Sequence, residues 1–263
     1  FLSVNSKNYR DAIELIPKEN GKLSVVNVLK LEDYLVGVVN KEIRSDFPRE
    51  AIKAQVVAAR SYALATLADR RKNKVTLWDL QSNEMDQVYD GSDHEDARSH
   101  RFVKETIGEV LMNEGNVLRA YYHSSNGGFS EMPYNVWGDE SGAMDRGAFV
   151  ARESHIDREK TPAPWQIQLS PHLGEFIFGV GKIKDVQVMS RTSGQRVKQL
   201  KIVGEEKSQI LTGAEFRRKL GNRWLKSTLF WVSKRSGHFV IEGRGFGHGV
   251  GLSQLGARAM ARL

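Results

Sequence analysis

The chain has 263 residues, enough for one large domain or two small ones with a sizeable core. Hydrophobic residues make up 40% and charged residues 27%, an ordinary globular balance, and no run approaches the eighteen apolar residues of a membrane-spanning helix. The absence of cysteine excludes disulfides, thiolate metal sites and cysteine nucleophiles, while a net charge of +7 suits an anionic partner such as nucleic acid, a membrane surface or an acidic cell-wall polymer.

Basic residues come in short runs, Arg70-Arg71-Lys72 and Arg217-Arg218-Lys219, without the interleaved aromatics of an RNA-binding motif. That argues against nucleic acid, and a solvated basic surface accounts for the charge equally well. The chain opens Phe1-Leu2-Ser3 without Met or a charged leader. It reads as a mature or trimmed product, with any export signal lying outside it.

Leu23 to Leu29 alternates and is rich in Val, the pattern of a strand. From Leu31 the period becomes helical, through Leu35, Val38, Val39 and Ile43. A second helix is expected from Arg49 to about Arg71, with Pro48 at its first turn and an Ala-rich interior suited to close packing. After a looser stretch, Leu77 to Gly91, Asp93 is expected to cap a third helix ending near Ile107. Glu109–Met112 and Val117–Tyr122 flank Asn113-Glu114-Gly115-Asn116 and read as a hairpin. Tyr134 to Pro164 reads as a long loop. Strands follow at Trp165–Leu169, Ile183–Met189, Val197–Val203, Phe230–Ser233 and Phe239–Glu242, with helical pieces at Pro171–Phe178 and Gly213–Leu220 and a closing helix at 252–263. Helices early and strands late predict an α+β fold. A helical N-terminal part, mainly 31–110, would pack with a strand-rich C-terminal part, mainly 165–250, as two lobes with a cleft.

On the first helix, Leu31, Leu35 and Val38 form an apolar stripe, and Glu42 occupies its next position. Partial desolvation and the helix C-terminus both favour the protonated carboxyl, as general-acid cleavage of a glycosidic bond requires. Periodicity alone leaves a second reading open, a buried glutamate paired with Arg60 or Arg44.

Gly243-Arg244-Gly245-Phe246-Gly247-His248-Gly249-Val250-Gly251 places glycine at every second position before Leu252-Ser253-Gln254. Such a backbone can approach a ligand closely. The dinucleotide fingerprint, with glycines at offsets of two and five, fits from no starting point. Ser253 and Gln254 offer donors suited to an anion or a sugar acetamido group. The plainer reading is a tight crossing with His248 in the core, but the glycine density favours a site. His123-Ser124-Ser125-Asn126-Gly127-Gly128 is a second polar, turn-forming cluster. His94 and His100 are six apart, not the four of a zinc helix, and read as surface residues. No nucleophile-elbow pattern supports Ser-His-Asp catalysis.

Three stretches resemble the SpoIID/LytB family of sporulation and cell-wall proteins. The first is Leu31-Glu32-Asp33-Tyr34-Leu35-Val36-Gly37-Val38-Val39-Asn40-Lys41-Glu42-Ile43, continuing through Phe47-Pro48 to Ala63. The second is Tyr121 to Gly128, similar to the family's His-Ser-Thr/Ser-x-Gly-Gly loop, and the third runs from Gly243 to Ala257. Together they reach from about residue 23 to the C-terminus in the family's order.

The resemblance implies a single catalytic domain over 1–263. It would be a lytic transglycosylase that cleaves between N-acetylmuramic acid and N-acetylglucosamine and leaves a 1,6-anhydro product. Its general acid/base would be Glu42. Gln55, Arg60, Tyr62, His123, Ser124, His248, Ser253 and Gln254 match positions expected to bind the glycan. The implied partners are peptidoglycan glycan strands and a cell-wall amidase, with no nucleic acid, and the implied location is extracytoplasmic. Some members bind zinc through Cys and His ahead of a Gln-Val-Tyr segment. Here Ser82-Asn83-Glu84-Met85-Asp86 precedes Gln87-Val88-Tyr89, so neither metal nor other cofactor is expected. Leu255 stands where the family usually has an aromatic residue. Two alternatives remain. One is a lysozyme-like hydrolase with Asp33, Asp46 or Glu50 as second carboxylate; the other is a non-catalytic amidase enhancer.

Overall fold

Helices dominate the first half of the chain and strands the second, in an α+β arrangement. A computed structural model describes residues 2–43, 46–73, 77–138, 147–160 and 164–263. The chain divides into two units, Phe1–Tyr121 with Ala261–Leu263, and Tyr122–Met260.

The first unit opens with two antiparallel hairpins. β1 (Leu2–Val4) pairs with β2 (Lys7–Tyr9), and β3 (Ala12–Pro17) pairs with β4 (Leu23–Val28). Only β4 is legible in the sequence. The other three strands are largely exposed, with no core-facing period to betray them. The helices α1 (Leu31–Glu42), α2 (Arg49–Asn73) and α3 (Ala97–Glu105) pack against one another. Six consecutive residues of α1, Tyr34 to Val39, are buried, so the helix is covered all round rather than along one stripe.

The cap of α3 is Asp96, three residues beyond the expected Asp93. Its carboxylate accepts the Ser99 N–H at 2.7 Å, while Ser99 Oγ accepts the Asp96 N–H at 3.3 Å, a reciprocal capping box. Asp93 instead accepts the Asn8 backbone N–H and Nδ2 at 3.1 and 2.7 Å, tying the first hairpin down. β5 (Met112–Asn113) and β6 (Asn116–Val117) form a hairpin shorter than expected. Its turn residues Glu114 and Gly115 are both left-handed, as a two-residue turn requires.

The second unit begins with β7 (Tyr122–His123). Within the stretch read as a loop, the described residues contain two helices too short for a periodic signal, α4 (Pro133–Trp137) and α5 (His155–Lys160). β8 (Trp165–Leu169) precedes a single π-helical turn, Gly174–Phe178. β9 (Ile183–Arg191), β10 (Val197–Gly204) and β11 (Ser208–Thr212) then make one antiparallel sheet. β11 escaped the sequence reading because it buries only Leu211. α6 (Gly213–Leu220) starts with a Thr212–Glu215 capping box. β12 (Phe230–Arg235), β13 (His238–Gly243) and β8 form a second antiparallel sheet. Leu200, Ile202, Phe216, Phe230, Phe239 and Ile241 share one buried core. The chain closes with β14 (Leu252–Ser253) and α7 (Gln254–Met260), so the expected closing helix begins two residues late, after a strand.

Candidate functional site

Glu42 is the last residue of α1 and is half-buried. Its Oε1 accepts the backbone N–H of Val88 at 2.8 Å. Val88 is fixed because its neighbours are. The Gln87 side chain is fully buried, with Oε1 accepting from Tyr34 Oη at 3.1 Å and Nε2 donating to the Ala59 carbonyl at 3.2 Å. Tyr89 packs on Tyr34 with ring centroids 5.2 Å apart and donates to Asn27 Oδ1 at 2.7 Å. The Gln-Val-Tyr segment thus acts as a polar brace that delivers one N–H to Glu42.

The brace ends in Asp90, which accepts Lys41 Nζ at 2.8 Å and Lys7 Nζ at 2.5 Å. These two hydrogen bonds, Lys41's the larger effect, hold its carboxyl down at about 2. A carboxyl lowered on folding stabilises the fold above its unfolded value of 3.8 and loses that contribution as pH falls through its folded value. Asp90→Asn is expected to cost about 1 kcal/mol at neutral pH, discounted for partial exposure. In urea titrations the gap from the parent protein should close as pH is lowered from about 4 to about 2. A gap that persists at pH 2 would show that the carboxylate charge is not what Lys41 and Lys7 read.

Upstream, Asp86 accepts from Arg70 at 2.8 and 3.2 Å, from the Gln81 N–H at 2.7 Å and from Tyr62 Oη at 3.2 Å. The family resemblance implies zinc ligands at this loop in some members. Here a carboxylate neutralised by arginine closes the loop, and Ser82, Asn83 and Met85 add no imidazole or thiolate, so these residues do not fit a zinc ion. His94 and His100 are exposed, and His100 Nε2 lies 3.0 Å from Glu95 Oε2.

Gln55 is fully buried on α2. Tyr62 sets its ring edge-on to Tyr121 with centroids 5.9 Å apart, and burial pushes its phenol up, so it stays neutral. Arg60 is 1% exposed, and its five donors are all engaged. Nε and Nη2 fork onto Glu32 at 3.0 and 2.7 Å, and the remaining N–H groups reach Thr106 Oγ1 and the carbonyls of Val103 and Glu109. The arginine's ion-pair partner is therefore Glu32, at the opposite end of α1 from Glu42. Arg44 lies outside the described residues.

In the second unit the other two motifs meet as neighbouring strands. β7 and β14 pair in parallel, Tyr122 with Leu252 and His123 with Ser253. Beyond them Ser125 and Phe246 exchange backbone hydrogen bonds at 3.0 and 2.8 Å, and the Leu255 N–H donates to the Ser124 carbonyl at 2.9 Å. The loops approach so closely that a Cβ on Gly127 would stand 2.5 Å from the Gly245 nitrogen.

His123 is buried. Its Nδ1–H donates to the Val250 carbonyl at 3.0 Å, leaving Nε2 as an acceptor with no hydrogen-bond partner among the described residues. Burial, then His248 and Arg196, drive its pKa far below the ordinary histidine value. His248 packs against His123 and Trp137 at 5.3 and 4.9 Å between centroids, and its Nδ1 accepts the Val250 N–H at 3.0 Å. Burial lowers it too, with Arg196 adding to the effect. Both imidazoles are neutral hydrogen-bonding groups rather than cations.

Two supporting residues carried no signal in the sequence. Asp157, on α5, accepts Ser253 Oγ at 2.5 Å and Ser154 Oγ at 3.2 Å, and burial raises its carboxyl. Arg196 is 2% exposed and donates to the Asn126 carbonyl at 3.1 Å. It presses on Gly249, whose φ is +87° and whose added Cβ would lie 2.1 Å from Nη2. Nothing in the local pattern around either residue distinguishes it from a loop or strand polar residue.

These features define a class: an α+β protein with one carboxyl-centred and one imidazole-centred polar cluster, each built from a sequence motif. The comparisons narrow it. Residues 19–113 match the SpoIID family, Stage II sporulation protein, and residues 166–251 match a domain of unknown function. The chain is 29% identical over 264 residues to the stage II sporulation protein D of Bacillus amyloliquefaciens, covering 90% of this chain and 70% of that protein. It is 27% identical over 272 residues to the amidase enhancer of Bacillus subtilis, covering 86% of this chain but only 37% of that protein. An uncharacterized protein of Brachyspira hyodysenteriae is 29% identical over 262 residues, covering 100% of this chain and 69% of its own length. The match over residues 19–113 and the relatives named stage II sporulation protein D support assignment of the chain to the SpoIID family. No helix among the described residues is long and apolar enough to cross a membrane.

Proposed function

We propose that the protein is an extracytoplasmic lytic transglycosylase that cuts peptidoglycan between N-acetylmuramic acid and N-acetylglucosamine. The observation that carries this reading is the half-buried Glu42 carboxyl, oriented by the Val88 N–H within the segment that matches the SpoIID family. Glu42 protonates the glycosidic oxygen as the C1–O bond breaks, and the muramoyl acetamido group stabilises the oxocarbenium centre. The resulting carboxylate takes the proton of the muramoyl C6 hydroxyl while O6 bonds to C1. The ring closes, Glu42 is protonated again, and no water is consumed.

Gln55, Tyr62, His123, Ser124, His248, Ser253 and Gln254 are proposed as glycan-binding residues. His123 Nε2 is a buried acceptor without a hydrogen-bond partner among the described residues. Arg60 joins them only through the family resemblance, since its donors are spent internally.

Geometry disfavours Asp33 as the second carboxylate of a lysozyme-like site. Asp33 and Glu42 are separated by nine residues of one helix, about 14 Å along its axis. A glycosidase pair needs roughly 5–9.5 Å. Glu50 is exposed and lies beside Arg49 and Lys53, at 3.5 and 3.9 Å. The relative named amidase enhancer favours a second reading, in which the chain binds wall glycan and promotes a cell-wall amidase.

Mass spectrometry of peptidoglycan digests separates the three. Transglycosylation leaves a 1,6-anhydromuramoyl end, one water lighter than the hydrolytic product and without a reducing end. Dominant reducing-end products would move the mechanism to hydrolysis. No products from the purified chain, with faster digestion when an amidase is added, would favour the enhancer.

A further inference from the structure

A cavity of about 470 Å³ in the second unit is lined by none of the residues proposed above. Its walls include Trp231, Arg244, Arg158, Glu242, Gln195 and the backbone of Gly127. The volume is that of a small-ligand pocket, and three features of the walls are built rather than incidental.

The first is the indole. Trp231 is 47% exposed, and the Arg191 guanidinium stands 5.3 Å from its ring centroid. Arg191 also donates to the Phe230 carbonyl at 2.9 Å and to the Gln195 carbonyl at 2.8 Å. One side chain therefore backs the aromatic ring and locks the neighbouring wall to it. The second is Gln195, held left-handed at φ +62° in a turn closed by its N–H donating to the Thr192 carbonyl at 3.0 Å. The left-handed conformation belongs to the β9–β10 turn, which holds Gln195 in place at the cavity wall. The third is Arg244. Its N–H donates to the Leu229 carbonyl at 3.0 Å, and its own carbonyl accepts Ser227 Oγ at 2.6 Å. The guanidinium has no hydrogen-bond or ion-pair partner among the described residues. Arg158, by contrast, is neutralised by Glu153 at 2.6 Å.

The cavity thus presents a rigid aromatic face, one uncompensated guanidinium fork, the Gln195 amide, and the Glu242 carboxylate, which lies 3.4 Å from Arg235 and keeps its second oxygen for a hydroxyl group. A single fork matches a carboxylate in geometry and charge, whereas a phosphate site would gather more cations or backbone N–H groups. The ring offers its face to the C–H face of a pyranose, and the hydroxyls of the same sugar would reach Glu242 and Gln195. We propose that this cavity, lined by residues of the second unit, is a binding site for a carboxylate-bearing pyranose. The sugar's identity as an N-acetylmuramoyl residue rests on the function proposed above. Its lactyl carboxylate would pair with Arg244 while its ring stacks on Trp231.

The test follows the tryptophan indole N–H signals of the full chain by NMR during titration with N-acetylmuramic acid, N-acetylglucosamine and D-lactate at millimolar concentrations. Trp231→Phe identifies the Trp231 signal, and its thermal melt checks the fold. The expected result is that N-acetylmuramic acid moves the Trp231 signal and the other two do not. Arg244→Gln should weaken the response at least tenfold, and Glu42→Gln should leave it intact. An equal response to N-acetylglucosamine or to lactate, an unchanged response in Arg244→Gln, or no movement of the Trp231 signal would overturn the proposal. Absence of glycan cleavage in the same preparation removes the transglycosylase reading alone, because this titration reports binding at the cavity whether or not a bond is cut.

Discussion

Glu42→Gln is expected to lower glycan cleavage by roughly 10²–10⁴-fold, the contribution of a positioned acid/base group. In the proposed reaction the same carboxyl gives the first proton and takes the second, so the amide fails at both steps. The substitution is conservative in every other respect. The glutamine carbonyl oxygen can still accept the Val88 N–H that Glu42 accepts at 2.8 Å, so the brace from Gln87 to Asp90 has no reason to move. Melting temperature and retention on insoluble peptidoglycan should therefore match the parent protein. Turnover within a few-fold of the parent would remove Glu42 from the chemistry. Loss of turnover together with a large fall in melting temperature would instead assign Glu42 a structural task.

Arg60→Met is expected to be the most destabilising of the substitutions considered. It deletes a fully buried cation whose five donors satisfy Glu32, Thr106 and two backbone carbonyls. Breaking a buried pair from one side typically costs about 3–5 kcal/mol, because the groups left behind lose partners without regaining water. For a unit of this size that is a fall in melting temperature of roughly 6–20 °C. Arg60→Lys should recover little, since one ammonium cannot replace a planar five-donor fork. Glu32→Gln should be costly too, because it leaves the buried guanidinium without its counter-charge, and Glu32→Gln with Arg60→Met should cost less than the sum of the two. Thermal and urea unfolding check the series. A stable Arg60→Met protein with weakened binding of glycan would place Arg60 among the substrate-binding residues, as the family resemblance alone implies.

Sequence by itself determined the features that depend on local repetition and chain stiffness. The starts of α1 and α2 are legible at Leu31 and Arg49, because helical spacing of apolar residues and Pro48 act within a few residues of chain. Glu42 is singled out by its place after Val38, whereas glycine density points to a ligand site and the meeting of Gly127 with Gly245 is visible only in the structure. The α+β order followed from the change of period along the chain. Only the tertiary structure decided which polar groups found each other. Arg60 could pair with any carboxylate that the packing brought near, and the packing of α1 on α2 brought Glu32, not Glu42. The N–H on Glu42 comes from Val88, 46 residues away, a separation across which no periodicity carries information. Asp157 and Arg196 lie in stretches with no distinguishing pattern, and burial against the glycine loops is what makes them supports. The hairpins before α1 are exposed strands without a core-facing face, so pairing alone defines them. Periodicity records which face of an element is buried; hydrogen-bond and ion-pair partners depend on distances set by the whole chain, and those exist only once it has folded.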